Sequence, residues 1–264
     1  MARICPLYSG SSGNSTYIGT PSGGIIIDAG ASLKGIESAL NAAGGKLEEI
    51  KAVAVTHEHI DHVKGLKTLL NKTKIPLIAT QKTINALIAL DKVPSGIRVI
   101  GIEDKPIDIE GIQIKRFATS HDCEGSSGYT INLPDGKKIA VCTDLGVVTN
   151  VVREAIRKSD VVLIESNHDI DMLRFGDYPY ALKKRILSDI GHLSNESAAQ
   201  AAYELVKSGT EHIMLGHLSD KNNTPEIAQM VTHSYLSDRN VNIGKDVTLQ
   251  VAGRYSITEF ITKD

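Results

Sequence analysis

The chain has no tryptophan, three phenylalanines and three cysteines among its 264 residues. So few aromatics leave a core that must rest on Ile, Val, Leu and Ala. The cysteines, Cys5, Cys123 and Cys142, are odd in number and at no disulfide-framework spacing, so a reducing cytoplasm is the expected setting. The opening residues Met1 to Pro6 lack the apolar stretch of a signal peptide, and no run reaches bilayer-spanning length, so no membrane role is expected. A surplus of one charge is also missing: 29 Lys and Arg stand against 31 Asp and Glu. That argues against a broad basic face for gripping nucleic acid, while leaving room for a local phosphate groove. There is no low-complexity segment. The length allows a full core, as one large domain or two small ones.

What is present is ordered hydrophobic patterning. Strands are expected at Arg3 to Tyr8, Thr16 to Ile18 and Gly24 to Asp28, with a turn-forming loop over Ser9 to Ser15. A helix capped by Ser32 and stopped by Gly44 follows, with Leu33, Ile36, Leu40 and Ala43 inward. A strand over Ile50 to Val55 leads through a histidine-rich loop into a helix from about His62 to Leu70. Next come a short strand at Leu77 to Ala79 and a Thr80-capped helix with Ile84, Leu87 and Ile88 inward. Strands follow at Ile97 to Ile100, Ile107 to Ile109 and Ile112 to Phe117, the last alternating with period two. Tyr129 to Leu133 and Lys138 to Cys142 flank Asp135-Gly136, a hairpin signal. From Thr149 onward helices alternate with strands at Val161 to Ile164, Ile213 to Leu215 and Val247 to Val251. The helices fall over Val151 to Lys158, after Tyr178-Pro179, from Ser194 or Asn195 to Gly209, and after Thr224-Pro225. Two batches of strands, each with helices and no long linker between them, predict an α+β chain: one αββα sandwich over residues 1–264, two mixed sheets with helices on both outer faces.

The chemistry concentrates in Thr56-His57-Glu58-His59-Ile60-Asp61-His62, directly after the apolar run Ala52 to Val55. His57 and His59 are two apart on extended backbone, so both rings can point to one side, and Asp61 shares that alternation. His62 falls where the chain turns into helix. Two neighbouring ions would use these donors naturally, His57 and His59 on one, Asp61 and His62 on the other. Imidazole and carboxylate donors suit zinc, manganese or iron.

His57-x-His59-x-Asp61-His62 after a buried strand resembles the signature of the metallo-β-lactamase superfamily, whose fold is αββα with a two-metal site between the sheets. The resemblance runs from Ile25 to His217. It implies that Asp28, in Ile-Ile-Ile-Asp-Ala-Gly, braces the metal loop. It implies that His121, in Thr-Ser-His-Asp, completes the first metal's histidines, and that Asp144, in Val-Cys-Thr-Asp-Leu-Gly, bridges the ions. A last histidine must come from a small repeat, Gly191-His192-Leu193-Ser194-Asn195 or Gly216-His217-Leu218-Ser219-Asp220. His217 ends an apolar strand as the other ligands do, so it is assigned to the second metal. His192 then serves the substrate, and Ser194 and Asn195, at a helix N-terminus, suit a phosphate. Ser12 and Asn14 of the first loop are further candidates, as is His168 in Glu165-Ser166-Asn167-His168-Asp169. Arg174, Lys183, Lys184 and Arg185 form a basic cluster that DNA or plain solvent would explain. Cys142 reads as a small buried residue beneath the site.

Within the superfamily the chain is most similar to the YycJ (WalJ, VicX) family. The shared motifs are Ser-Gly-Ser-Ser-Gly-Asn at Ser9 to Asn14, Thr-His-x-His-x-Asp-His at Thr56 to His62, Glu-Ser-Asn-His-Asp at Glu165 to Asp169 and Gly-His-Leu-Ser-Asn at Gly191 to Asn195. That resemblance implies a phosphodiesterase with two divalent ions, Zn2+ or Mn2+ before Fe, acting as a 5′-to-3′ exonuclease on duplex DNA. In that scheme a hydroxide held between the ions attacks phosphorus in line, Asp61 orients it, and His192 binds the phosphate or protonates the leaving group. A hydrolase of a small phosphodiester, cyclic nucleotide or lactone is the alternative, and a non-catalytic regulatory protein the more distant one.

Overall fold

The computed structural model describes residues 3–254, 257–258 and 260–261. Two seven-stranded sheets face each other, built on one plan. The first starts as an antiparallel meander of β1 (Arg3–Tyr8), β2 (Ser15–Thr20) and β3 (Gly23–Ile27). It continues in parallel through β4 (Ile50–Ala54), β5 (Leu77–Ala79) and β6 (Val99–Gly101). The second repeats this, with antiparallel β7 (Ile107–Ile109), β8 (Ile112–Ala118), β9 (Ser127–Asn132) and β10 (Lys138–Cys142). Parallel β11 (Val161–Glu165), β12 (His212–Gly216) and β13 (Thr248–Val251) extend it. A two-residue strand, β14 (Phe260–Ile261), pairs with β1.

Three apolar layers hold four layers of structure together. Ile25 and Ile27 point at the second sheet, meeting Ile114, Tyr129, Ile131, Val141 and Leu163, while Ile26 between them points outward. Strands covered on both faces read as unbroken apolar runs, which is why Ile25-Ile26-Ile27 shows no alternation. On the outer face of the first sheet lie α1 (Leu33–Ala42), α3 (Leu66–Thr73) and α4 (Gln81–Ala89). On the outer face of the second lie α5 (Asn150–Ile156), α8 (Asn195–Lys207) and α9 (Pro225–Ser237). Three short helices, α2 (Ile60–Val63), α6 (Ile170–Phe175) and α7 (Tyr180–Ile186), fringe one end of the sandwich.

The expected αββα sandwich is therefore present, and the caps Ser32, Thr80, Ser194 and Thr224 each accept a backbone N–H at the start of their helix. Several local expectations need correction. The helix expected over His62 to Leu70 is two helices, α2 and α3, parted at Lys64-Gly65. The cause is close approach: the Gly65 N–H donates to the Ala29 carbonyl at 2.8 Å, and a Cβ on Gly65 would overlap the Ala31 carbonyl oxygen. Ile88 is not inward but 57% exposed, because α4 buries only the narrow stripe of Thr83, Ile84 and Leu87. The strand expected at Ile97 to Ile100 is shifted to β6. Helix α6 was not foreseen, although Asp169 caps it through Met172 N at 2.8 Å.

Because β3, β4, β8, β10, β11 and β12 end at the same side of the sandwich, the residues after them converge there. Tyr129 ties the sheets together beneath that edge, its hydroxyl donating to the Val55 carbonyl at 2.6 Å. The chain leaving β3 is also clamped: Gly30 N donates to Asn14 O at 2.8 Å, and Asn14 N to Asp61 O at 2.8 Å. A Cβ on Gly30 would overlap the Asp61 carbonyl oxygen. Gly30→Ala is accordingly expected to destabilise the protein by about 1–3 kcal/mol in chemical denaturation, as overpacking does, and to lower bound metal per chain in elemental analysis.

Candidate metal centre

The loop after β4 is shaped by one buried carboxylate. Asp28 Oδ1 accepts from Thr56 N at 2.8 Å, and Oδ2 from Thr56 Oγ1 at 2.8 Å. The same Oδ2 lies 2.8 Å from His62 Nδ1. With Nδ1 engaged, Nε2 of His62 faces the space between the sheets, 3.2 Å from Asp144 Oδ2 and 3.4 Å from Asp61 Oδ2. His57 is fully buried, its Nδ1 3.0 Å from Thr56 Oγ1. A carboxylate behind a ligating imidazole fixes its tautomer and ring orientation.

The distant residues arrive at the same place. His121 follows β8, with Nε2 3.3 Å from His59 Nδ1 and Nδ1 3.2 Å from the Gly191 carbonyl. Asp144 follows β10, its Oδ2 3.2 Å from His217 Nδ1, and His217 follows β12. The donor atoms of His57, His59 and His121 lie within 4.8 Å of one another; so do those of Asp61, His62 and His217, and those of His57, His62 and Asp144. Among the described residues, the buried Nε2 of His57 has no hydrogen-bond partner, and the buried Asp144 Oδ2 and His217 Nδ1 approach each other at 3.2 Å without hydrogen-bond geometry. Buried polar atoms almost always have partners, so convergent orphans of this kind fit a bound cation.

Electrostatics points the same way. Burial pulls the His57 pKa well below the imidazole value, and the neighbouring His62 adds to it. Burial also opposes charge on His62, but the carboxylates of Asp144 and Asp28 outweigh it and hold the pKa well above the usual value. For His217 the same contest, led by Asp144, ends at about 9. Burial should raise the Asp144 pKa, yet His217 and His62 keep it well below the carboxylate range. Protons on these imidazoles occupy the place of a cation, so metal entry would release them.

Two of these residues and one more adopt left-handed backbone: Asp28 at φ 62°, Asp144 at 58° and His217 at 54°. Asp28 and His217 sit directly beyond a strand end, and Asp144 one residue further on. Such backbone costs a non-glycine residue about 1–2 kcal/mol, and it tends to be kept where function requires it.

Glu165, at the end of β11, escaped the sequence reading. It is fully buried. Its Oε2 accepts from Leu145 N at 3.1 Å and Leu193 N at 3.0 Å, and Oε1 lies 2.8 Å from His192 Nδ1. The signal was available: a glutamate closing the apolar run Val161 to Ile164 is rarely buried without a partner. Burial opposes charge on His192, but Glu165 prevails and raises its pKa. The His192 ring stands 5.1 Å from that of His121 and 5.3 Å from that of His217.

The other candidates divide between the centre and its surroundings. Asn14 is at the centre, Nδ2 3.0 Å from His62 Nε2 and 3.3 Å from Asp61 Oδ2. Ser12 is exposed on the loop beyond it. Ser194 caps α8, and fully buried Asn195 accepts from Ser166 Oγ at 2.6 Å and donates to Asn223 Oδ1 at 3.0 Å. Both side chains thus hold α8 in place. His168 is 1% exposed, its ring nitrogens without hydrogen-bond partners among the described residues, and burial lowers its pKa to about 4. Cys142 lies in the outer apolar layer, where burial pushes its thiol pKa up. Arg185 pairs with Asp122, itself 3.3 Å from His121 Nε2.

Comparison with known proteins accords with this geometry. The model of the β-lactamase superfamily domain matches residues 24–218. The chain is 37% identical over 240 residues to exodeoxyribonuclease YycJ of Bacillus anthracis, covering 90% of each chain. It is 39% identical over 243 residues to exodeoxyribonuclease WalJ of Streptococcus pneumoniae, covering 91% of this chain and 90% of that one. Among solved structures, the metallo-β-lactamase fold protein YhfI of Bacillus subtilis superposes with a TM-score of 0.73 at 15% identity, over 98% of this chain and 99% of that one.

The Asp28 brace is testable through metal binding alone. Asp28→Ala is expected to weaken divalent-metal affinity by about 10–100-fold in calorimetric titration, and affinity equal to the parent's would show that the loop holds its shape without it.

Proposed function

This chain belongs to the metallo-β-lactamase superfamily, and within it to the family of the YycJ and WalJ exodeoxyribonucleases; on that premise we propose that it is a binuclear metal-dependent phosphodiesterase digesting duplex DNA from a 5′ end. The observation that carries the reading is the joint convergence, at one edge of the sandwich, of the donor groups and a glutamate-backed imidazole. His57, His59 and His121 would hold one divalent ion, and Asp61, His62 and His217 the other. Asp144 faces both sets, Oδ2 toward His62 and His217 and Oδ1 3.9 Å from His121 Nε2. Bound ions, Zn2+ or Mn2+ before Fe by the donor chemistry, supply charge neutralisation at phosphoryl oxygens and lower the pKa of water.

The chain's own groups divide the remaining work. Asp61, tethered by Asn14 Nδ2, orients the attacking water. Glu165 fixes Nδ1 of His192, leaving Nε2 as the free ring nitrogen. Glu165 also favours the protonated ring, so His192 can bind the phosphate as a cation. As the P–O3′ bond breaks, it gives its Nε2 proton to the departing oxygen, which is general acid catalysis by a positioned imidazole. The reading takes residues 1–264 as one catalytic domain in the cytoplasm, where the thiols of Cys5, Cys123 and Cys142 stay reduced. No helix among the described residues is long and apolar enough to cross a membrane.

A small phosphodiester, cyclic nucleotide or lactone is the competing substrate. Metal-analysed protein given end-labelled, 5′-phosphorylated duplex DNA is expected to shorten it from the 5′ end. Turnover of bis-p-nitrophenyl phosphate or a lactone with the duplex intact would overturn the DNA assignment. His192→Ala is expected to slow DNA hydrolysis by about 10²–10⁴-fold and to cost far less on bis-p-nitrophenyl phosphate, whose leaving group needs no proton. An equal loss on both substrates would make His192 a phosphate ligand rather than an acid.

A further inference from the structure

Helices α6 and α7 form an arm that the metal chemistry leaves unused. Phe175 at the end of α6 is 85% exposed, and Tyr180 at the start of α7 is 81% exposed. They are the two most exposed large apolar side chains among the described residues. A soluble domain keeps such groups in water at a disadvantage unless they meet a partner. The two helices are tied to each other, since Lys183 Nζ donates to the Arg174 carbonyl at 2.8 Å.

The arm is also tied to the metal centre. The residue after α7 leads into the turn in which His192 N donates to Ile186 O at 3.0 Å and Gly191 N to Ser188 O at 2.9 Å. Arg185 of α7 pairs with Asp122, next to His121. Five residues of helical rise place Tyr180 about 8 Å along α7 from Arg185, a distance of about two stacked bases. Leu187 and Ile190, 43% and 51% exposed, lie in the segment between α7 and His192.

Place and chemistry together bear on the occupant of the arm. Arg174 and Lys184 are exposed, and among the described residues neither side chain enters an ion pair; the carboxylates of Asp171 and Asp177 are exposed on the same segment. Two exposed rings flanked by free cations match a nucleic-acid strand, with base faces on the rings and phosphates on the cations. Nearly even charge over the whole chain makes such a local grip the more necessary, because no general basic field holds the polymer.

We propose that the α6–α7 arm is the docking surface for the DNA strand, with Phe175 and Tyr180 stacking on bases next to the cleaved nucleotide and Arg174 and Lys184 meeting its phosphates. This rests on the DNA reading above. It gives that reading its substrate selectivity: a small diester can reach the metal centre without touching the arm, and a polymer cannot.

The test compares metal-loaded parent protein with the double variant Phe175→Ala/Tyr180→Ala. Binding of a fluorescently labelled, phosphorothioate-protected 5′-phosphorylated duplex is followed by anisotropy, with bis-p-nitrophenyl phosphate hydrolysis and light scattering alongside. Both side chains are exposed, so the variant is expected to fold and to hydrolyse the small diester at the parent rate. Its affinity for the duplex is expected to fall at least about tenfold, the scale of losing stacked bases. Equal affinity in parent and variant would overturn the arm and leave the DNA reading standing. A parent that hydrolyses the small diester but does not bind the duplex would overturn both. A parent dimer that the variant loses, with duplex affinity unchanged, would make the arm a contact between copies of this chain.

Discussion

The centre depends on a single buried carboxylate. Asp28 receives the Thr56 N–H, the Thr56 hydroxyl and the Nδ1 side of His62, and so sets the path of the loop before any metal is considered. Its own N–H is held by the Ala54 carbonyl at 2.8 Å, so the first parallel pair of strands carries the brace. Three imidazoles on one short loop repel each other when protonated. Asp28 gives them one arrangement, and the second sheet then has only to supply His121, Asp144 and His217.

Glu165 plays the corresponding part on the second sheet. Two backbone N–H groups, Leu145 N and Leu193 N, fix its Oε2, so the segment after Asp144 and the segment after His192 are locked to the end of β11. Its other oxygen then orients His192. Each sheet thus contributes one buried acid at a strand end whose role is to aim a histidine. The left-handed backbone at Asp28, Asp144 and His217 is the strain that this arrangement carries, and the strands behind them over-determine it.

Much of this was legible in the residues. Asp28, His121 and Asp144 were placed by resemblance to the superfamily, and His217 was chosen over His192 because it ends an apolar strand; the fold brings all four to one edge of the sandwich. The sandwich was legible because strands come in two batches with helices beside them. What was not legible depends on contact between distant segments. The break between α2 and α3 comes from the Gly65–Ala29 and Gly65–Ala31 approach, which no helical periodicity reports. Glu165 was passed over for His168, which was read as a substrate group near the cleft because it follows the same buried strand. In the folded chain the His168 ring is buried without a hydrogen-bond partner among the described residues, while Glu165 backs the cleft. Ser194 and Asn195 sit at a helix N-terminus as expected, but their side chains are spent on the cap and on the buried amide network around Asn223.

The account requires two ions on a preformed set of donors, with Asp144 between them. The most direct measurement is anomalous diffraction from crystals loaded with Zn2+ or Mn2+, collected at the absorption edge of the metal. Two peaks are predicted, one among His57, His59 and His121 and one among Asp61, His62 and His217, with the Asp144 carboxylate contacting both. A single peak at either set, or no peak in a protein that still hydrolyses phosphodiesters, would contradict the two-ion centre.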